Sequence, residues 1–530
     1  MTRSQPNAAE ISVIGHALHS VAVEMGVALR RTSFSPNIRE RRDYSSAVFS
    51  AGGDMIAMGD DMPVHLGSMP MSVAAVLDAM QLEPGDVAML NDPFRGGTHL
   101  PDITMVAPVF LPRQSRPAFY VANRAHHADV GGTYPGSMGP CRDITQEGIR
   151  IPPVKLMRAG TMDPEVLAII LANVRTPAER EGDLAAQLGA CRIGVSRMLD
   201  LVRRFGLARL LRGIHAMKLG SERLMRAALA LLPAGSWSAE DFLDDDGVES
   251  RPVSIHVTFR NDPARHRAVF DFTGTDRQVP GSLNAVYAIT WSAVFYVLRC
   301  LLPPEAIVTA GLMRPVRVVA PRGTVVNADP PAAVAGGNVE TSQRIVDVLM
   351  RVLAQVLPDR IPAASSGTMN NLTIGGTDPR TGKPFTYYET IAGGLGASPS
   401  SSGASGHHAH MTNSLNTPVE ALEYAYPFRM VCYALRRNSG GAGLHRGGDG
   451  IVREIELLGN AQVTLLADRR QSQPWGLAGG ESGLPGKTIV TRNGEESPLP
   501  GKYTVELPAG SRIRIESPGA GGWGKPRDKN

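Results

Sequence analysis

Two short stretches of the chain hold the residues best suited to chemistry. Residues 91–102 read NDPFRGGTHLPD, with His99 and Asp102 three apart across Pro101. Residues 126–132 read HHADVGG, with His126 and Asp129 at the same separation. Proline at 101 stops a helix from running through the first pair, and the glycines at 96–97 and 131–132 allow sharp turns or close approach to a ligand. Two H-x-x-D pairs at the ends of β-rich runs can bring imidazoles and carboxylates to one sheet end. That is the donor set of a mixed nitrogen and oxygen site for one divalent ion, Zn²⁺, Mn²⁺ or Fe²⁺. His126 and His127 are neighbours, and strand neighbours point to opposite faces, so only one of them reaches a shared ion. The other could support it, and the pattern leaves open which is which.

Two more constellations add to this set. In RERRDYSS, Arg39 to Ser46, Asp43 stands where a strand begins, and the flanking arginines would keep its carboxylate ionised. It reads either as part of a solvated turn or as a ligand or general base. In SGHHAHMTNSLNTPVEALE, His408 and His410 share one side of an extended segment, with Asn413 and Asn416 close behind. Such density of hydrogen-bonding groups suits a polar ligand pocket, in which His410, Asn413 and Asn416 would position substrate, or a well-bonded loop.

The elements that must position these residues are legible from periodicity. Ile11 to Leu29 has helical spacing. Asp43 to Met58 gives two apolar runs around Gly52-Gly53, a hairpin signal. A short helix is predicted over Ser72 to Met80, and strands over GDVAML, ITMVAPVF and AFYVANRAH. Asp163 to Leu232 reads as two or three packed helices. Strands return in RPVSIHVTF and HRAVFDFTGT, helices at Ala285 to Leu302 and Thr341 to Val356, and the last ~90 residues read as short strands between Gly, Pro and Asn turns. The expected class is α+β, with a mixed region over 1–240 carrying the metal site and a helical segment, and a β-richer region over 241–530 completing the pocket.

Composition bounds the function. The chain has 530 residues, enough for two to four domains, and 43% hydrophobic and 20% charged residues, which excludes wholesale disorder. Lys and Arg exceed Asp and Glu by 54 − 50 = 4 with no basic block, so neither nucleic acid nor anionic lipid is the expected partner. The four cysteines form no C-x-x-C pair, which removes a zinc ribbon or redox dithiol and suits reduced thiols. The polar stretch Met1 to Glu10 lacks the apolar core of a secretory signal. The apolar run Ala285 to Leu298 is 14 residues long, short of the ~20 a span needs. A cytoplasmic location with no membrane association is therefore expected. GAGGWG at 519–524 spells G-x-G-x-x-G but has no helix to follow it, and GLPGKT at 483–488 has Glu481 where a P-loop needs glycine. No nucleotide motif is present.

The blocks NDPFRGGTHLPDITMVAPVF, ANRAHHADVGG, EGIRIPPVKL, GGNVETSQRI, HMTNSLNTPVEALE, YPFRMVCYALRRNSGGAGLHRGGDG and SPGAGGWG occur in this order over almost the whole chain. Together they resemble the hydantoinase B/oxoprolinase family. The resemblance implies a B-type subunit of an ATP-dependent cyclic-amide hydrolase, paired in a hetero-oligomer with an A-type ATPase subunit that binds the ATP. It also implies a divalent ion held by His99, Asp102 and a later histidine, matched to His126 with His127 as alternative, and a site carboxylate at Asp43. The family also contains ketone carboxylases, so a carboxylase subunit is the second expectation and a non-catalytic scaffold for the ATPase the third. Thr309 and Ala520 depart from the family's usual Asn and Gly; the first bears on a substrate-pocket loop.

Overall fold

The computed structural model describes residues 6–59 and 62–526. Helix α1 (Ala8–Thr32) is capped by Asn7, whose side chain accepts from the Glu10 amide, and buries Ile14, Leu18, Val21, Met25 and Leu29 at helical spacing. Each large apolar side chain so buried contributes ~1.5–3 kcal/mol. By length and composition α1 could cross a bilayer. Its buried stripe instead packs on α5 (Pro177–Phe205), α6 (Leu207–Ala230) and the first sheet. The remaining helices include the single turn α2 (Pro36–Arg39), α3 (Met69–Ala79), α4 (Pro164–Ala172), α7 (Tyr287–Cys300) and α8 (Ser342–Ala354).

The sheet that positions the candidate site has seven strands, all paired antiparallel: β1 (Tyr44–Ser50), β2 (Met55–Met58), β3 (Val87–Leu90), β4 (Asp102–Val109), β5 (Phe119–His126), β6 (Val154–Arg158) and β7 (Thr161–Met162). Their order is β2-β1-β5-β4-β3-β6-β7. The hairpin read around Gly52-Gly53 is β1–β2, with Ala47 opposite Met58. One face of the central strands packs on α5 and the other on α3. Strands β1, β4 and β5 are buried almost throughout, so apolar and polar residues share both faces and alternation is faint.

A second sheet, β8 (Gly235–Leu243), β9 (Val253–Asp262), β10 (Arg267–Asp271) and β11 (Val316–Val319), holds one parallel pair, β10–β11. Two further antiparallel sheets, of four and five strands, are built from residues 371–516. The fold is α+β. The change of pattern near residue 240 falls inside β8, and one hydrophobic core runs across it from Ile14 to Leu466. A separate core, Leu372 to Ile515, lies between the two C-terminal sheets. The composition shift thus marks a switch of secondary structure within one core.

Candidate active site

The register of β1, β5 and β4 assembles the cluster. Asp102 at the start of β4 pairs with His126 at the end of β5, and Tyr44 pairs with Ala125. Continuing that register by one residue sets Asp43 beside His126, and the His126 amide donates to the Asp43 carbonyl at 3.0 Å. Asp43, His126 and Asp102 therefore form one row across three neighbouring strands, on one face of the sheet. His99 joins them from the loop before β4, which is fixed by Asn91: its amide donates to the Leu100 carbonyl at 2.7 Å and its oxygen accepts from the Ile151 amide at 2.6 Å. Gly97 lies so close to this loop that an added Cβ would stand 2.5 Å from the Asn91 carbonyl oxygen.

Within the cluster, His99 Nε2 lies 3.3 Å from Asp102 Oδ2. The His99 and His126 ring centres are 5.0 Å apart, and Tyr388 stacks on His126 at 4.4 Å. Asn37 donates to the His126 carbonyl at 2.6 Å and also contacts Nδ1 of the ring. Arg41 in turn contacts Asn37 Oδ1, donates to Thr390 Oγ1 at 2.7 Å, and lies 3.9 Å from Asp43. All are buried.

Burial alone would raise the Asp102 carboxyl, but His99 and His65 outweigh it and hold the group well below the ordinary range. Burial, aided by His99, lowers His126 far enough to keep its imidazole neutral. Burial raises Asp43 to about 7, against the pull of Arg41 and with a push from Asp102. The cluster thus offers a fixed carboxylate, a neutral imidazole and a carboxyl that exchanges its proton near neutral pH.

His99, Asp102 and His126 each have one buried atom without a hydrogen-bond partner: His99 Nδ1, Asp102 Oδ1 and His126 Nε2. A buried polar group left unpaired costs ~1–3 kcal/mol, and these three are imidazole nitrogens and a carboxylate oxygen, atoms able to hold a ligand. Two imidazoles and a carboxylate are the donors a borderline divalent cation takes. Among the described residues, no three His, Cys, Asp or Glu side chains close tightly enough round one point to define an ion position. The donor chemistry fits a cation; the ligand set is gathered but not closed.

The other candidates from the sequence lie elsewhere. His127 faces α5, with Nε2 3.0 Å from Gln187 Oε1, and burial with the Arg180 charge lowers it to about 4. Asp129 pairs with Arg175 at 2.8 Å and accepts from the Gly131 and Gly136 amides. The Gly97 amide is likewise committed, to the Asp92 carbonyl at 2.8 Å. His410 has φ 55° and contacts the Tyr296 hydroxyl at 3.4 Å, Asn413 is exposed, and Asn416 bonds the Thr390 carbonyl and the Tyr433 hydroxyl. The segment 407–417 nevertheless adjoins the cluster: Ser414 meets Arg41, and the Met411 carbonyl accepts from Val64. Thr309 bonds Ser221 on α6 and caps the turn at Gly311.

Sequence reasoning missed His65, Asn37, Tyr388 and Asn338. His65 lies 3.3 Å from Asp102 and the Asn338 amide 3.1 Å from His99 Nε2. Asn338 sits in a single π-helical turn, Gly337–Thr341, a rare conformation frequent at functional sites. The only signal for it was the GGNVETSQRI block; His65 had none, standing alone between valine and leucine.

The hydantoinase B/oxoprolinase family model matches residues 7–526. The chain belongs to this family. It is 30% identical to a protein of Pseudomonas sp. named as the B-type subunit of a D-/L-hydantoinase, covering 98% of this chain and 90% of that one. It is 38% identical to 5-oxoprolinase 1 of Arabidopsis thaliana, covering 97% of this chain but 42% of the relative, so it spans about two fifths of that protein. The crystal structure of the ATP-dependent caprolactamase from Pseudomonas jessenii superposes with a TM-score of 0.91 at 29% identity, over 98% of this chain and 92% of that one.

Proposed function

We propose that this chain is the B-type subunit of an ATP-dependent cyclic-amide hydrolase and that the Asp43–His126–Asp102 row, with His99, is its ring-opening site. The observation that carries this reading is the row itself, built from three strands and left with unpaired polar atoms in a buried setting. The similarity to a hydantoinase subunit, to 5-oxoprolinase and to an ATP-dependent caprolactamase supports the reaction class. ATP would be bound by a separate A-type subunit; the absence of a nucleotide motif among these residues and the naming of the Pseudomonas relative as one subunit of its enzyme support that division. A cytoplasmic location suits the ATP requirement.

An unstrained cyclic amide resists hydrolysis because resonance makes its carbonyl carbon a poor electrophile. Phosphorylation of the oxygen by ATP removes that protection. Water then adds to the carbon, the C–N bond breaks with the nitrogen taking a proton, and the acyl phosphate left behind hydrolyses to carboxylate and phosphate. His99, Asp102 and His126 would hold one divalent ion, Zn²⁺, Mn²⁺ or Fe²⁺, with Asp43 as ligand or base. Such an ion supplies Lewis acidity and lowers the pKa of a bound water to ~7. Asp43 would accept the proton of the attacking water on its carboxylate, a role suited to a group titrating near neutrality. Arg41 and Tyr388 hold Asn37 and the His126 ring in place. The segment 407–417 adjoins the cluster through Ser414 and Met411, so His410, Asn413 and Asn416 would be the substrate-positioning residues if the ring enters from that side.

The test is elemental analysis and turnover of the complex with its ATPase subunit. His99→Ala and Asp102→Ala are expected to lose bound metal and ATP-dependent ring opening together. Full metal content and full turnover in either variant would remove the assignment.

A further inference from the structure

We propose that Ser45 and His65 form a relay that fixes how Asp102 presents its carboxylate, which makes His65 a positioning residue of the site. The inference rests on reading the cluster as a cation site. His65 ends the short turn Pro63–His65 and is 1% exposed. Its Nδ1 is 2.9 Å from Ser45 Oγ and its Nε2 is 3.3 Å from Asp102 Oδ2. Ser45 lies on β1 two residues beyond Asp43, hence on the same face of the sheet.

The directions of these bonds follow from the donors available. An ionised carboxylate only accepts, so the hydrogen between His65 and Asp102 belongs to Nε2. In a neutral ring Nδ1 is then an acceptor, and the hydrogen between it and Ser45 belongs to the hydroxyl. Ser45 Oγ in turn accepts from the main-chain amide of Met62 at 3.1 Å. The relay therefore runs one way: Met62 amide to Ser45, Ser45 to His65, His65 to Asp102.

Its target is one oxygen only. Thr98 Oγ1 donates to the same Oδ2 at 2.9 Å, and His99 Nε2 stands 3.3 Å from it, whereas Oδ1 has no partner. One oxygen is saturated and orients the group; the other is left bare. A carboxylate held this way serves a cation through a single oxygen at a fixed angle, the task that partners behind a metal ligand perform.

The experiment is Co²⁺ titration of the metal-free full chain against a competing chelator, with the visible Co²⁺ spectrum as second readout and circular dichroism as folding control. His65→Leu is expected to weaken Co²⁺ binding about 10–100-fold and to change the spectrum. His65→Gln, whose side-chain amide can still donate to Asp102, is expected to recover most of the affinity. Wild-type affinity and spectrum in His65→Leu, with binding lost in Asp102→Ala, overturns the relay. Wild-type binding in both overturns the cation reading itself. Should His65→Leu fail to fold, Ser45→Ala decides: it removes the donor to Nδ1 and is expected to weaken binding several-fold, and unchanged affinity overturns the relay.

Discussion

Two of the buried clusters of ionisable side chains among the described residues differ in what faces their carboxylates. In the first, Arg344 and Arg469 face Asp241 and Asp347, and Arg344 and Lys502 face Asp468, with all six side chains buried. Three cations meet three of the carboxylates, and Asp244 beside them accepts from the amides of Arg470, Gln471 and Ser472. This network joins β8, α8 and the C-terminal sheets. In the second cluster, Asp102 meets imidazoles rather than permanent cations, and one of its oxygens meets nothing. In the network Asp347 Oδ1 is also without a partner, but permanent cations balance the three paired carboxylates, and that charge pairing holds the fold together. In the second cluster the bare atoms are imidazole nitrogens and a carboxylate oxygen, atoms a cation can bind.

The largest expected effect separates these roles through catalysis. His126→Ala should cost the assembled enzyme at least ~100-fold in turnover, because a bound ion supplies several kcal/mol at the reacting carbon. Its thermal midpoint should fall only modestly, since the variant loses the ring's stack on Tyr388 and its contact with Asn37 but also removes an unpaired Nε2. Normal turnover with a much lowered midpoint would invert the comparison and make the second cluster the structural one.

The reverse signature belongs to the network. Removing one partner strands a buried charge and typically costs ~3–5 kcal/mol. Arg344→Met should therefore lower the urea midpoint strongly while leaving the metal content per folded chain unchanged. A variant as stable as the wild type would mean that the network contributes no net stabilisation.

How much of this was visible in the sequence follows from the same physics. The strands bearing Asp102 and His126 were legible because β-branched and aromatic runs end on proline or glycine turns, and the helices because their apolar stripes recur at helical spacing. The choice between His126 and His127 was not, because it depends on register: Asp102 pairs with His126, and parity then sends His127 to the α5 face. His65 and Tyr388 arrive from turns and strands whose placement is decided by packing of distant segments, so no local spacing announces them. Asn413 and Asn416 show a different limit. A polar-rich segment looks the same whether its groups await a ligand or, as with Asn416, already bond the chain beneath. The glycines at 519–524 show a similar ambiguity. There Gly521 and Gly522 donate to Ala364 and Glu481 in a woven, helix-free region.

Glu147 stands between these two cases and gives a smaller, pH-dependent test. One of its oxygens accepts from the Val334 and Ala335 amides, while the other has no partner. Burial raises its carboxyl to about 8, despite those two donors and with help from Asp143. Since the unfolded group titrates near 4.5, the native state binds the extra proton between these values, and stability falls as pH rises through that window. Glu147→Gln keeps an acceptor for both amides and removes the titration. The stability difference between wild type and variant should therefore move in the variant's favour from pH 5 to pH 8 and level off above about 8. A difference independent of pH would mean that the carboxyl is ionised throughout, and hence that a cation or water sits on its bare oxygen.

The smallest effect discriminates between adjacent residues. His127 shares its strand end with His126 but bonds Gln187, whose own amide donates to the Ile103 carbonyl at 2.9 Å and to Asn123 Oδ1 at 3.0 Å. His127→Leu should remove one buried hydrogen bond and leave the Gln187 oxygen unpaired, a cost of ~1–3 kcal/mol, read as a modest drop in thermal midpoint. Metal content and turnover at a temperature where both proteins are folded should match the wild type. Loss of metal in this variant, with retention in His126→Ala, would exchange the roles of the two histidines. It would also require β5 to pair one residue out of the register seen here, turning every side chain of that strand to the other face.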